Sequence, residues 1–232
     1  MQANHNRDAA VLRTRAAIRL PAGSRIAVAM SGGVDSSTVA ALLVEAGYEV
    51  FGLTARLYDL PDDTVVSVGS CCAPRDAADA RATASKLGIR HYVVDERAHF
   101  ETHVMARFAD DYASARTPNP CVECNRHLKF DRLLERALLL GAEALATGHY
   151  ARLDVDAAGD VQLYRGQDRA KDQAYFLHAL RPESARWLRF PLGALDKAAV
   201  RDEARRLDVP VADKPESMDI CFVAGKTHAD WV

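Results

Sequence analysis

A short segment rich in glycine and serine, residues 31–37 with the sequence SGGVDSS, has the composition of a phosphate-binding loop. It follows the apolar run 25–30 and precedes a helical pattern, so it lies where a buried strand passes into a helix. Paired glycines let the backbone approach an anion, while serine hydroxyls and the amides of the helix start donate hydrogen bonds to it. The segment lacks the lysine pattern of the Walker loop, so it predicts a phosphate site of a different kind.

The cysteines form a second group that could do chemistry. Cys121 and Cys124 have CxxC spacing in a segment with two prolines, directly before a predicted helix whose N-terminus would stabilise a thiolate, above all that of Cys124. Half of a zinc site, a redox pair, part of an iron–sulfur site and a structural turn all use this spacing. Redox or sulfur chemistry is favoured over a zinc site completed by Cys221 with His127 or His149, because no second CxxC occurs.

Apolar runs and helical periodicities alternate along the chain. Strands are predicted at residues 25–30, 48–55, 91–95 and 143–147, and a β-hairpin at 155–166. Helices are predicted at 34–46, 74–87, 100–112, 127–140, 182–188 and 197–207, and a loop at 117–124. The alternation predicts the α/β fold class, a parallel sheet with helices on both faces. Such sheets bind ligands at the carboxyl ends of their strands, where the 31–37 loop and the loop at Gly148 both fall.

The composition is that of a globular chain of 232 residues, 49% hydrophobic, whose net charge of −2 gives no global nucleic-acid footprint. No run of about 18 apolar residues occurs, which excludes a membrane span. The arginine-rich start has no apolar stretch and argues against a secretory signal; a frayed or helical extension is favoured over an organelle transit peptide. Five cysteines, an odd number, indicate a reducing compartment, so we expect a cytoplasmic protein.

Several motifs carry a resemblance to known families. The 31–37 loop resembles the SGGxDS loop of the ATP pyrophosphatases (PP-loop enzymes), which bind the β and γ phosphates and split ATP into AMP and pyrophosphate. The chain also resembles the tRNA-specific 2-thiouridylases of the MnmA type in NPCVECN (119–125), KF (129–130), ATGHY (146–150), KDQAYFL (171–177) and DICF (219–222). This resemblance covers about residues 24–223 and implies the Rossmann-like fold of adenine nucleotide α-hydrolases.

The resemblance implies ATP-dependent 2-thiolation of uridine 34 in the tRNAs for Lys, Glu and Gln. ATP, with Mg²⁺ near Asp35, would convert the poorly electrophilic C2 carbonyl of uracil into an adenylate, which sulfur then attacks. Cys124 would be a catalytic thiol, and Cys221 would receive a persulfide from a sulfur-donor protein. The two can then form a disulfide that needs a reductant. The alternative for Asp35 is a carboxylate that the helix dipole stabilises.

The family also implies two sets of contact residues. The nucleotide is expected to contact Ala29, Met30, Ser31, Gly32, Gly33, Val34, Asp35, Ser36, Ser37, Ala55 and Gly148. The target base and the tRNA are expected to contact Asn119, Pro120, Cys121, His149, Lys171, Asp172 and Gln173. His149 could instead be an ordinary hydrogen-bonded loop histidine, and Lys171 with Asp172 a solvated charged pair.

Cys121 departs from the family, because many members carry Asp at this position. The thiols of Cys121, Cys124 and Cys221 could hold a [4Fe-4S] cluster with one iron left open for hydrosulfide, so the cluster and persulfide mechanisms are alternatives. For the adjacent pair Cys71 and Cys72 we expect buried or incidental thiols rather than a catalytic role.

Two other function classes stay open at this point. The SGGxDS loop also occurs in amide ligases and synthetases, and the chain could be a non-catalytic ATP-binding fragment. The expected organisation is an extension at 1–22, a catalytic domain at 23–208 and a segment at 209–232 that leads into a linking domain. Because family members continue beyond this point, we expect a truncated chain with weak tRNA affinity. In it, 209–232 would be poorly ordered and Cys221 would lie far from Cys124.

Overall fold

Five parallel strands form the central sheet of the computed structural model, which describes residues 2–59, 74–156, 158, 160–216 and 220–223. They are β1 (Arg25–Ala29), β2 (Glu49–Arg56), β3 (Arg90–Asp95), β4 (Ala144–Ala146) and β7 (Leu188–Arg189). A separate antiparallel hairpin pairs β5 (Ala151–Val155) with β6 (Val161–Arg165). The order across the main sheet is β3-β2-β1-β4-β7, which confirms the predicted α/β class with a parallel sheet.

Helices precede, connect and follow these strands. They are α1 (Gln2–Ile18), α2 (Val34–Glu45), α3 (Pro74–Lys86), α4 (97–113), α5 (120–139), α6 (Pro182–Ala185) and α7 (Lys197–Arg206), and a 3-10 turn covers Ala174–Leu177. Wider π-helical turns occupy Glu101–Met105 within α4 and Cys124–Leu133 within α5. Such turns are frequent at functional sites.

Each face of the sheet has its own core, because alternate residues of a strand point to opposite faces. Ile26 and Val28 of β1 belong to the cluster that contains Ile18 of α1 and Leu43 of α2. Ala27 belongs to the opposite cluster, which contains Phe51, Phe130, Leu134 and Leu145. A strand covered on both faces reads as a continuous apolar run, and this is why its position could be predicted from the sequence.

Both ends of the described chain pack onto this domain. Ile18 of α1 is fully buried in the first core cluster. After α7, Val209 and Val211 are buried beside Val34 of α2, and Phe222 is buried against Phe100 of α4. The expected poor order of 209–232 is therefore wrong for residues 209–216 and 220–223, which apolar burial and the ion pairs of Lys214 and Glu216 hold in place. The expected domain boundaries after residues 22 and 208 stay predictions.

The structure differs from the predicted elements at several places. The hairpin begins at Ala151, four residues before the predicted start. α6 ends at Ala185, and β7 pairs with β4 where the sequence predicts the end of a helix. α5 begins at Pro120, so the CxxC pair lies within a helix and not in a loop at 117–124. Cys71 and Cys72 lie outside the described residues. In the part of the chain that the structure describes, no helix has the length and apolarity needed to cross a membrane.

Candidate active site

The loops after β1 and β4 meet at the carboxyl edge of the sheet, where the strand order reverses. From β1 the chain passes through α2 to β2 on one side, and β4 lies on the other side of β1. Crevices at such reversals are where α/β sheets bind ligands. The fold therefore brings together the two loops that the sequence indicated, 31–37 and the loop at Gly148.

Hydrogen bonds within its own turn hold the phosphate loop, residues 31–37. The Ser36 hydroxyl accepts a hydrogen bond from the Ser31 amide (3.1 Å), and the Ser37 amide donates to the Gly33 carbonyl (3.3 Å). Gly33 is the N-cap of α2 and provides no side-chain cap. The first amides of α2 can therefore donate to an anion.

Two glycines allow neighbouring backbone to touch this loop. Gly32 has φ +73°, and a Cβ atom there would lie 2.0 Å from the Asp76 carbonyl oxygen of α3. A Cβ on Gly148 would lie 2.9 Å from Cβ of Asp35 and 3.0 Å from the Ser36 amide nitrogen. These distances are shorter than ordinary contacts of a Cβ atom, so both positions require glycine.

A chain of opposite charges runs across the crevice. Oδ1 of Asp35, in the first turn of α2, accepts from Nζ of Lys197 (2.7 Å) and from the Tyr150 hydroxyl (2.9 Å). Lys197 also pairs with Glu216 (2.8 Å), whose other oxygen pairs with Lys171 (2.5 Å). Burial opposes ionisation of Glu216, but hydrogen bonds from the two lysines outweigh it and lower the pKa to about 2. Burial, assisted by Asp35, raises the pKa of Tyr150, so its hydroxyl stays protonated.

Lys214 connects the segment that follows α7 to the phosphate loop through hydrogen bonds. Its Nζ donates to the Gly32 carbonyl (3.1 Å) and to the carboxylates of Asp76 and Asp79 on α3 (2.6 Å each). Sequence reasoning missed Lys197, Lys214 and Glu216. Lys197 and Asp35 are 162 positions apart along the chain, so no local pattern could have indicated their contact.

The remaining nucleotide residues lie at the carboxyl ends of β1 and β2. Ala29 and Ala55 are half-buried, and Met30 is buried. The Thr54 hydroxyl donates to the Met30 carbonyl (2.7 Å) and lies 2.8 Å from Nε2 of His91. Burial lowers the pKa of His91, so its ring is neutral near pH 7. The positions of Ala29, Met30 and Ala55 are consistent with the predicted nucleotide edge, and their contact with nucleotide stays a prediction.

The thiol helix, α5, starts with well-defined cap residues. The Asn119 side chain accepts from the Val122 amide (3.3 Å), and Pro120 occupies the first turn. Cys121 is exposed, whereas Cys124 is half-buried. Cys124 and Cys221 pack against the same apolar cluster, which contains Phe100, Phe108 and Phe222. The expected separation of Cys221 from Cys124 is therefore wrong.

Metal binding by the three thiols has no support in their placement. Among the described residues, no group of three His, Cys, Asp or Glu side chains is arranged to hold a metal ion. Cys121, Cys124 and Cys221 are all described and form no such group for a single ion, and the [4Fe-4S] cluster stays a prediction.

His149 is buried, although it follows directly on the crevice loop. Its ring lies 5.6 Å from the rings of Phe130 and Phe190, and Nδ1 lies 2.7 Å from Oγ1 of Thr147. Burial, with the charge of Lys129 as a smaller cause, lowers the pKa of His149 well below its usual range. This geometry favours the alternative of a hydrogen-bonded loop histidine, and a contact of the side chain with tRNA stays a prediction.

Residues 171–173 hold their own segment in place. Asp172 accepts from two backbone amides at 2.9 and 3.2 Å, and Gln173 accepts from the Tyr150 amide (3.0 Å). Lys171 pairs with Glu216 rather than with Asp172, so the alternative of a solvated Lys171–Asp172 pair does not describe these residues. Their predicted contacts with tRNA, like those of Asn119, Pro120 and Cys121, stay predictions.

Sequence comparison relates most of the chain to proteins whose names describe an action on tRNA. Residues 24–225 match the family model described as the tRNA methyl transferase HUP domain. Proteins named tRNA-specific 2-thiouridylase MnmA from Caulobacter sp. (strain K31) and Acidiphilium cryptum (strain JF-5) are 52% and 54% identical over 93% and 90% of this chain. The chain spans 53% and 60% of the length of these two curated relatives.

Solved structures of low sequence identity share the fold. A U34-tRNA thiolase NcsA from Methanococcus maripaludis, described with its [4Fe-4S] cluster, is 18% identical with a TM-score of 0.55, covering 92% of this chain and 67% of that one. NMN synthetase from Francisella tularensis is also 18% identical with a TM-score of 0.53, covering 99% and 84% of the two chains. These likenesses confirm the Rossmann-like α/β architecture.

Proposed function

The chain belongs to the tRNA methyl transferase HUP domain family, and we propose that it supplies the catalytic domain for ATP-dependent 2-thiolation of uridine 34 in tRNA. The observation that carries this proposal is a series of hydrogen bonds from the phosphate loop to the thiol helix. Tyr150 donates its hydroxyl to Asp35 and its amide to Gln173. In the following 3-10 turn, the Phe176 carbonyl accepts from Asn125 of α5. Nucleotide and thiol chemistry would thus share one hydrogen-bonded framework.

In the proposed reaction, the C2 oxygen of uracil attacks the α phosphorus of ATP, which forms an O-adenylate and releases pyrophosphate. The terminal sulfur of a persulfide on Cys221 then attacks C2 and displaces AMP. The Cys124 thiolate attacks the Cys221 sulfur, so the sulfur–sulfur bond breaks, 2-thiouridine leaves and a Cys124–Cys221 disulfide forms. A cellular dithiol must reduce this disulfide. The packing of both thiols against one apolar cluster supports their pairing.

The proposed ligands follow from the charges and donors of the site. The phosphate loop and the first amides of α2 would hold the β and γ phosphates. Mg²⁺ at the Asp35 carboxylate, an oxygen ligand of the kind this cation prefers, would neutralise phosphate charge. The proposed partners are the tRNAs for Lys, Glu and Gln and a protein that donates persulfide sulfur. The names of the curated relatives support tRNA as the substrate class.

Two assays on the chain, with a tRNA transcript that carries uridine at position 34, test this proposal. We expect tRNA-dependent exchange of labelled pyrophosphate into ATP, and 2-thiouridine once a persulfide donor is added. Cys124→Ser and Cys221→Ser should keep the exchange and lose 2-thiouridine, whereas Cys121→Ser should keep both. Exchange that needs a small carboxylate instead of tRNA would identify an amide ligase. ATP binding without exchange would identify a non-catalytic module.

A further inference from the structure

One arginine of the thiol helix has no partner for its charge among the residues whose positions are described. Arg126 is half-buried, and its Nε is buried without a hydrogen-bond partner. No ion pair joins its guanidinium group to a described residue. The three carboxylates of α5 each pair with a different cation: Glu123 with His127 (3.3 Å), Asp131 with Arg181 (3.4 Å) and Glu135 with Arg132 (2.8 Å).

A half-buried arginine without a counter-charge is unfavourable in the protein alone. Moving a charge out of water costs free energy unless a partner replaces the lost hydration. Burial lowers the pKa of the neighbouring His127, and the positive charge of Arg126 adds to this effect, so the charge acts on its surroundings. A buried polar group that the chain leaves without a bond requires an explanation, and an anion from outside the chain would provide one.

Arg126 lies one helical turn before a residue that contacts the crevice loop. The Phe130 ring, four residues later, lies 5.6 Å from the ring of His149, which directly follows Gly148. Residues four apart lie on the same face of a helix. We therefore expect an anion at Arg126 to lie on the side of the crevice that the thiol helix forms.

The surroundings favour a phosphate of RNA over a phosphate of the nucleotide. Donors for ATP are already present in the phosphate loop and the first turn of α2. Beside the thiol helix, Tyr175 is 67% exposed in the 3-10 turn whose Phe176 carbonyl accepts from Asn125. RNA-binding proteins stack unpaired bases on exposed aromatic rings, and a guanidinium group binds phosphate oxygens with two parallel hydrogen bonds.

We propose that Arg126 binds a backbone phosphate next to uridine 34 of the tRNA and so holds the target nucleotide against the thiol helix. This inference rests on the proposed function, since it takes tRNA as the substrate. Because the net charge of the chain is −2, attraction for RNA has to come from local cations of this kind. The phosphate supplies the counter-charge that the described chain does not.

The first test is the dissociation constant of a labelled anticodon stem-loop with uridine 34, measured by fluorescence anisotropy over a series of salt concentrations. Arg126→Met should weaken binding about tenfold at low salt and reduce the salt dependence by about one phosphate contact. Arg126→Lys keeps the charge but not the two parallel bonds, so it should keep the salt dependence and lose part of the affinity. Arg136→Met, at an exposed arginine near the C-terminal end of the same helix, is the matched control and should bind like the unmodified chain.

The second test identifies the phosphate by removing its charge. Stem-loops with a neutral methylphosphonate linkage on the 5′ or the 3′ side of uridine 34 are compared on the unmodified chain and on Arg126→Met. At one of these linkages, the neutral group should weaken binding to the unmodified chain about tenfold and binding to Arg126→Met hardly further, as for two groups in direct contact. Losses that simply multiply at both linkages would overturn the inference.

Two further measurements separate this inference from its alternatives. The dissociation constant of ATP should be the same for Arg126→Met as for the unmodified chain, and the midpoint of urea denaturation should rise because an uncompensated charge is removed. A loss of ATP affinity with unchanged RNA binding would assign Arg126 to the nucleotide and overturn this inference alone. A lower urea midpoint would contradict it as well, because Arg126 would then have a partner within the chain.

The outcome for the unmodified chain distinguishes this inference from the proposed function. If the unmodified chain bound no stem-loop even at low salt, the phosphate contact would be refuted. The proposed function would fall with it only if tRNA-dependent exchange of pyrophosphate into ATP were absent too.

Discussion

The phosphate loop and the thiol helix lie at the same end of the sheet but are constructed differently. Around the phosphate loop, glycines fit against neighbouring backbone, and Asp35, Glu216 and the lysines satisfy one another at hydrogen-bond distance. On the thiol helix, Oδ1 of Asn125 and Nε of Arg126 are buried and have no hydrogen-bond partner among the described residues. Among the described residues, the charged side chains around the phosphate loop are paired with one another, whereas these two side-chain atoms of the thiol helix are not.

This difference indicates how each region would meet its substrate. A buried polar atom without a partner costs about 1–3 kcal/mol, and natural proteins keep such atoms mainly where function requires them. The π-helical turn from Cys124 to Leu133 covers the same residues and is also typical of functional sites. The phosphate loop is therefore preformed, whereas the thiol helix retains polar groups that a substrate can satisfy.

The largest effect is expected from the tightest backbone contact of the phosphate loop. Gly32→Ala combines a positive φ with an overlap against the Asp76 carbonyl, so the free energy of unfolding should fall by about 3 kcal/mol or more. Gly23→Ala is the matched control, because Gly23 has φ +86° and no atom within 4 Å of the added methyl group. The free energy of unfolding of Gly23→Ala should fall by only about 1 kcal/mol.

Urea denaturation followed by circular dichroism measures both variants. ATP binding should be lost in Gly32→Ala and kept in Gly23→Ala. Equal losses of stability in the two would show that strain in φ, and not the close approach of α3, decides the effect. The contact between Gly32 and α3 would then contribute little to stability, and the phosphate loop would not be the more tightly packed of the two regions.

Local sequence patterns predicted most of the elements for a physical reason. The apolar runs of β1 and β2 are buried on both faces, so composition alone marks them. β7 was missed because it is two residues long, and its pairing with β4 is decided by the neighbouring strand. The start of α5 was readable in principle, since Asn119 before Pro120 is a typical helix start, but the prolines suggested a loop.

Only those parts of the candidate site that are continuous in the sequence could be predicted. The phosphate loop and the CxxC pair are continuous motifs, and the alternation of strands and helices predicted that the phosphate loop and the loop at Gly148 share one edge. Lys197, Lys214 and Glu216 reach that edge only through tertiary folding. The burial of His149 likewise depends on Phe130 and Phe190, which are distant in sequence.

An effect of intermediate size is expected at His149, which lies between the two regions. Because its folded pKa is below the usual 6.5, the unfolded chain binds more protons, and stability should fall as the pH drops below about 6.5. The slope for one such group approaches about 1.4 kcal/mol per pH unit. Between pH 6.5 and 5, the free energy of unfolding of the unmodified chain should therefore fall by up to about 2 kcal/mol more than that of His149→Leu.

Urea titrations at three pH values measure this difference. His178→Leu changes an exposed histidine and should keep the slope of the unmodified chain. Identical slopes for the unmodified chain and His149→Leu would mean that the ring can be protonated in place. His149 would then be accessible enough for the tRNA contact that the resemblance implies.

The smallest effect is expected when one hydrogen-bonding side chain is replaced in each region and the two losses of stability are compared. Thr54→Val removes a buried hydroxyl from both Met30 and His91, and should cost about 1–3 kcal/mol because those partners lose their bond. Asn125→Leu also removes a bond, to the Phe176 carbonyl, but it relieves the unpartnered Oδ1 at the same time. Its net cost in urea denaturation should stay below about 1 kcal/mol. Thr54→Ser, which keeps the hydroxyl and removes only the methyl group, is the control and should keep both hydrogen bonds. If Asn125→Leu instead proved the more damaging change, Oδ1 would already have a strong partner in the protein without substrate. The thiol helix would then be as complete as the phosphate loop.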